Sequence, residues 1–185
     1  MGLDMFIFKI KRYKNATLKD VSAVEALLDL RRYRKEHPEY HKSFKEWYGG
    51  RCETPSKDLI DFYSKFEKMN EHGFYHITEE VAYWRKANEI HSWFVENVQN
   101  GNDDCDVYRE VTISDLQTLR NLCERVLADH DLAEELLPTC SGFFFGGTEY
   151  DDWYFNDLEL TIQQIDKILE TTDFNTEVLY YTSSW

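Results

Sequence analysis

The residue whose chemistry stands out in this chain is His91, because it interrupts an apolar run that continues through Trp93, Phe94 and Val95. An imidazole titrates near neutrality, so in a cleft it can act as general acid or base, whereas in a core it is a neutral hydrogen-bonding group. Upstream lie Glu80 and Tyr83, a carboxylate and a phenol, and the cations Arg85 and Lys86. Acid/base work, on a phosphate if the cations take part, is the chemistry these types suggest.

The element that must position them reads as one long helix from Glu79 to Gln99. Thr78 can cap it, Glu79 and Glu80 suit the positive end of its dipole, and Asn100-Gly101 closes it. At about 100° per residue, Tyr83, Trp84, Ala87, Ile90, Phe94, Val95 and Val98 share one arc, with Glu80 and His91 near its centre. Arg85, Glu89, Ser92 and Glu96 fall on the opposite side. Glu80 and His91 are then roughly 16 Å apart and need partners from other segments. Arg85 and Lys86 point well away from His91, so a phosphate met by His91 takes its stabilising cation from elsewhere, with Lys11 and Arg12 the first candidates.

Other constellations are weaker. Asp103, Asp104 and Asp106 lack calcium-loop spacing and read as a solvated loop. Cys52, Cys105, Cys123 and Cys140 are far apart, form no C-x-x-C pair and read as reduced thiols rather than metal ligands. No Walker A, G-x-G-x-x-G, H-E-x-x-H or G-x-S-x-G pattern occurs. Neither a metal nor a cofactor is expected.

The chain has 185 residues and carries a net charge of −14, which argues against a non-specific nucleic-acid binder. The charge is uneven: residues 1–50 hold 11 basic and 7 acidic side chains, giving +4, and residues 51–185 hold 10 and 28, giving −18. An acidic body suits either solubility or a basic protein partner. Lys9, Lys11, Arg12, Lys14 and the Arg31, Arg32, Arg34, Lys35 run are the places where phosphates could be met. The start carries no signal-peptide pattern and no apolar run has membrane-spanning length, so a soluble, cytoplasmic protein is expected.

Around these residues the pattern predicts an α+β fold, mainly helical, in one domain over residues 1–185. A strand is expected from Met5 to Tyr13, with Phe6, Phe8 and Ile10 on one face. Helices are expected from Thr17 to His37, where Pro38 stops the first, from Ser43 to Tyr48, and from Pro55 to Gly73. Residues 15–73 would form a helical insertion with a basic surface. Val107–Thr112 reads as a strand, Ser114 with Gln117 as the capping box of a helix over Leu116–Leu127, and Leu132–Leu137 as a short helix. Gly142–Gly147 reads as a buried strand or tight turn. Thr148 with Asp151 opens a helix through Leu169, and Val178–Thr182 is a strand. The two terminal strands are expected side by side in a small antiparallel sheet.

Several segments together resemble a family of small phage and mobile-element proteins. They are Met1 to Met5, Glu80 to Asn88 with Ile90-His91 and Trp93-Phe94, Asp104-Cys105, Leu137-Pro138-Thr139, Gly142 to Gly146, Thr148 to Asp151 with Trp153-Tyr154, and Ser183-Ser184-Trp185. The segment from about Asn15 to Gly73 has no part in the resemblance. Some members of that group resemble type II-A anti-CRISPR proteins. The resemblance implies an inhibitor of Cas9 in the bacterial host cytoplasm that binds the guide-loaded effector and promotes shortening of its guide RNA. If the chain were itself the nuclease, His91 would be base or acid toward a ribose 2′-OH, with Tyr83 and Glu80 completing the catalytic set. Lys9, Lys11, Arg12, Lys14, Arg85 and Lys86 would then meet RNA, without a metal. Two rivals stand beside this reading: an acidic binder of a basic protein with no chemistry, and a small-molecule enzyme with a Glu80, Tyr83 and His91 pocket.

Overall fold

The computed structural model describes residues 2–50, 53–105 and 107–185. Cys52 and Asp106, both weighed above, lie outside them. In chain order the elements are β1 (Asp4–Lys11), α1 (Leu18–Glu36), α2 (Phe44–Trp47), α3 (Lys57–Tyr63), β2 (Lys68–Met69) and β3 (Tyr75–His76). There follow β4 (Glu79–Arg85), α4 (Asn88–Asn97), β5 (Arg109–Val111), α5 (Ile113–Ala128), α6 (Ala133–Leu136), α7 (Asp152–Thr171) and β6 (Glu177–Ser184). The fold is α+β, and its four-stranded antiparallel sheet, in the order β4-β1-β6-β5, seats the two terminal strands side by side.

The chain divides into two compact units, one made of Met1–Lys9 with Glu80–Trp185 and the other of Ile10–Glu79. Charge follows this division: the first unit holds 7 basic and 23 acidic side chains, giving −16, and the second 14 and 12, giving +2.

In the first unit the sheet turns one face toward helices. Met5 and Ile7 of β1, Trp84 of β4 and Leu179 and Tyr181 of β6 share one buried cluster with Ile90 and Phe94 of α4, Leu116 and Leu119 of α5, and Leu158 and Ile165 of α7. Each such Leu or Ile contributes about 1.5–3 kcal/mol when buried. The indole N–H of Trp84 donates to Thr161 Oγ1 at 2.9 Å, which satisfies its one polar atom inside the core. On the other face of β1, Phe6 stacks on Phe8 at 5.6 Å and lies 5.2 Å from the Tyr83 ring.

In the second unit α1 starts where expected, on a capping box formed by Thr17 and Asp20, and ends before Pro38. Ala23, Leu27 and Leu30 of α1 pack with Phe44 of α2. The Glu25 carboxylate accepts the Ile77 and Thr78 N–H groups at 2.6 and 2.9 Å, fixing the segment after β3. The expected third helix is shorter than the sequence suggests: α3 gives way to a 3-10 turn and then to the β2–β3 hairpin, built on Asn70, whose side chain accepts from His72 and Phe74 N–H.

The largest correction concerns the long helix. Glu79–Arg85 is a strand, and only Asn88–Asn97 is helical. The break is at Lys86, whose φ of +64° puts it in the left-handed region that L residues seldom adopt. The period-two burial of Ala82 and Trp84 against exposed Tyr83 and Arg85 marks the strand. Capping differs as well: α5 starts on Thr112 and Asp115 rather than Ser114 and Gln117, and α7 on Asp151 without Thr148. Gly142–Gly147 is a turn, with Phe143 93% exposed and Phe145 buried. No helix among the described residues is long and apolar enough to cross a membrane.

Candidate functional site

His91 sits one turn into α4 and is 1% exposed. Its Nδ1 lies 2.9 Å from the hydroxyl of Tyr181 on β6. Its Nε2 lies 3.2 Å from Asp103 Oδ1, off the line a hydrogen bond needs, so Asp103 acts as an electrostatic partner that favours a proton on Nε2. Nδ1 then accepts from the Tyr181 O–H. Asp103 Oδ1 also accepts the Trp185 indole N–H at 3.2 Å, and Phe145 packs edge-on against the imidazole. Burial pushes the His91 pKa down despite the opposing carboxylate, so the ring is neutral near pH 7. Burial likewise pushes the Tyr181 phenol well up. The imidazole and Tyr181 are thus buried, hydrogen-bonded groups, beneath Asp103 and Trp185, which stay partly exposed.

Its stability linkage has a defined sign. The folded imidazole titrates below the unfolded one, so its contribution is present above pH 6.5 and is lost as pH falls below that value. His91→Gln is expected to be about 2 kcal/mol less stable than the wild type at pH 7. That gap should narrow on acidification to pH 5, read from urea midpoints; a gap that does not change with pH would refute the buried neutral histidine.

The other residues expected at a catalytic centre are not gathered around His91. Tyr83 is on a strand, partly exposed, and its hydroxyl donates to Asp4 Oδ1. Glu80 is an exposed residue of the same strand. Lys9, expected to meet RNA, is buried and pairs with Glu177 at 3.8 Å. Lys14 is engaged with Asp58 at 2.8 Å, and Lys11 and Arg12 belong with it to the Ile10–Glu79 unit.

Arg85 and Lys86 meet a cavity that the helical reading of this segment does not predict. It encloses about 460 Å³ at the β4–α4 turn, and besides these two cations it is lined by four acids, Glu89, Glu149, Asp151 and Asp157, and by Gly146 and Trp153. Asn88, at the first position of α4, builds its wall. The Asn88 amide donates to Gly147 O at 2.7 Å and Phe145 O at 3.2 Å, while its Oδ1 accepts from Cys140 N–H at 2.8 Å. Gly146, at φ +95°, lets this loop lie against Lys86, because a Cβ there would come within 3.2 Å of Lys86 Cβ and its carbonyl oxygen.

Glu89 is the residue the sequence reading missed. Placed on the polar side of a hypothetical helix, it is instead 3% exposed, with Oε1 lacking a hydrogen-bond partner among the described residues. Desolvation pushes its pKa up to about 8, with Asp157 adding a smaller push. Asp157 itself is raised to about 6 by desolvation and then by Asp151. Both carboxyls thus favour the protonated form more than an exposed acid does. The signal was the alternation over Val81–Arg85: read as a strand, it starts the helix at Asn88 and resets every helical angle after it.

Among the described residues no group of three His, Cys, Asp or Glu is placed to hold a metal ion, and Cys105, Cys123 and Cys140 are free thiols. Comparison with protein-family models, with curated proteins and with solved structures finds no match.

Proposed function

We propose that the protein is a stoichiometric, acidic inhibitor that acts by occupying a basic partner, with the guide-loaded Cas9 effector as that partner. The observation that carries this reading is the stretch from Asp129 to Asp173, which holds 12 acidic side chains and one basic, with eleven of the twelve acids exposed. An excess of exposed carboxylates favours long-range attraction to a basic groove that binds nucleic acid. The choice of Cas9 rests on the family resemblance of the segments named above.

The reading favours binding over RNA cleavage by His91. A general base must come within about 2.6–3.2 Å of the proton it takes. An imidazole at 1% exposure, with Nδ1 on the Tyr181 hydroxyl and Nε2 covered by Asp103, offers no ring nitrogen to a ribose in this arrangement.

The purified protein, mixed with guide-loaded Cas9, should form a complex and suppress DNA cleavage while leaving the guide at full length. Affinity should weaken at least about tenfold between low and physiological salt. No complex at low salt, or undiminished DNA cleavage at excess protein, would sink the reading. A shortened guide would restore the nuclease alternative instead.

A further inference from the structure

The cavity at the β4–α4 turn is unlike the rest of the acidic unit, because it opposes charges across its depth. Arg85 and Lys86 are exposed at its edge, whereas Glu89 is buried at its floor with an unpartnered oxygen. The first turn of α4 adds to the cationic side: Ala87 at the N-cap supplies no side-chain acceptor, so the helix start is left without a capping group. At the mouth Trp153 is 78% exposed, an aromatic face available to a cation. Lys86 is held in a left-handed conformation, backbone strain of the kind concentrated at ligand sites.

The floor lacks positive charge. The ionisable groups that bear on Glu89 are Asp157 and Tyr154 from α7, Cys123 from α5, and Cys140 in the loop before Gly142. All are acids, and none is a cation. A buried carboxyl with such neighbours stays protonated until a positive group arrives.

We propose that this cavity binds a small zwitterion, its guanidinium or ammonium end seated on Glu89 and Asp157 and its carboxylate or phosphate end held by Arg85, Lys86 and the α4 amino end. The volume of about 460 Å³ suits a ligand of amino-acid size. Seating the cation ionises Glu89, and the proton leaves to solvent. The cavity shares Glu149, Asp151 and Asp157 with the stretch that carries the Cas9 reading, but the two readings concern different ligands and are tested by different titrations, so the failure of one is distinguishable from the failure of the other.

Titration calorimetry with L-arginine and with agmatine, which lacks the carboxylate, tests it at pH 7. L-arginine should bind and release roughly one proton, measured by repeating the titration in buffers of different ionisation enthalpy. Agmatine should bind about tenfold more weakly, and combined Arg85→Ala and Lys86→Ala should abolish that difference. Glu89→Gln, which keeps the shape of a neutral acid, should fold and lose at least about tenfold in affinity for both probes. The proposal is overturned if neither probe binds the wild-type protein at about 10 mM, or if Glu89→Gln binds them as tightly as wild type.

Discussion

Glu89→Gln is expected to be more stable than the wild-type protein by on the order of 3 kcal/mol at pH 7, an unusual direction for a substitution in a core. In the folded protein the carboxyl holds its proton up to about pH 8, whereas in the unfolded chain it ionises near 4.5. Between those values the folded state binds more protons than the unfolded one. Wild-type stability from this group therefore falls as pH rises through the window and levels off above it. Glutamine has no proton to lose, so the two proteins should converge near pH 4.5 and separate steadily toward pH 8. The first-turn position in α4 favours the ionised form, and desolvation at 3% exposure outweighs it. Urea midpoints at pH 5, 7 and 8.5 provide the measurement; curves that run parallel across that range would show that Glu89 is ionised in the folded protein.

Asn88→Ala is expected to cost about 3–5 kcal/mol, because three hydrogen bonds end on one side chain and each lost partner strands a backbone group of the loop. The carbonyls of Phe145 and Gly147 lose their donor, and the Cys140 N–H loses its acceptor. Asn88→Asp separates shape from chemistry. It keeps the acceptor for Cys140 but offers no N–H and sets negative charge against two carbonyl oxygens, so it should be no better than alanine. Thermal unfolding of the two variants checks this, and a midpoint within about 2 °C of wild type for either would contradict the account. Since Asn88 fixes the loop that carries Gly146, both variants should also lose L-arginine binding.

The sequence by itself determined the elements whose signals are local. The α1 start at Thr17 and Asp20, its stop before Pro38, the amphipathic α7 and the alternation of β1 were all legible, because capping, proline sterics and periodicity act over a few residues. The pairing of the terminal strands was also legible, since both are apolar and short enough to need a sheet. What only the tertiary structure decided was the segment around His91. Val81 to Phe94 is rich enough in apolar residues to satisfy a helical and a strand pattern at once, and the choice fell to the sheet, which pairs β4 with β1, and to the turn at Lys86. That turn changed the expected sides: His91, for which the sequence left core and cleft both open, lies buried, Tyr83 moved to the surface, and Glu89 moved inside. Burial of a carboxyl without a partner is a property of what surrounds it, and those surroundings come from α5, α7 and the loop near Cys140, far away in the chain.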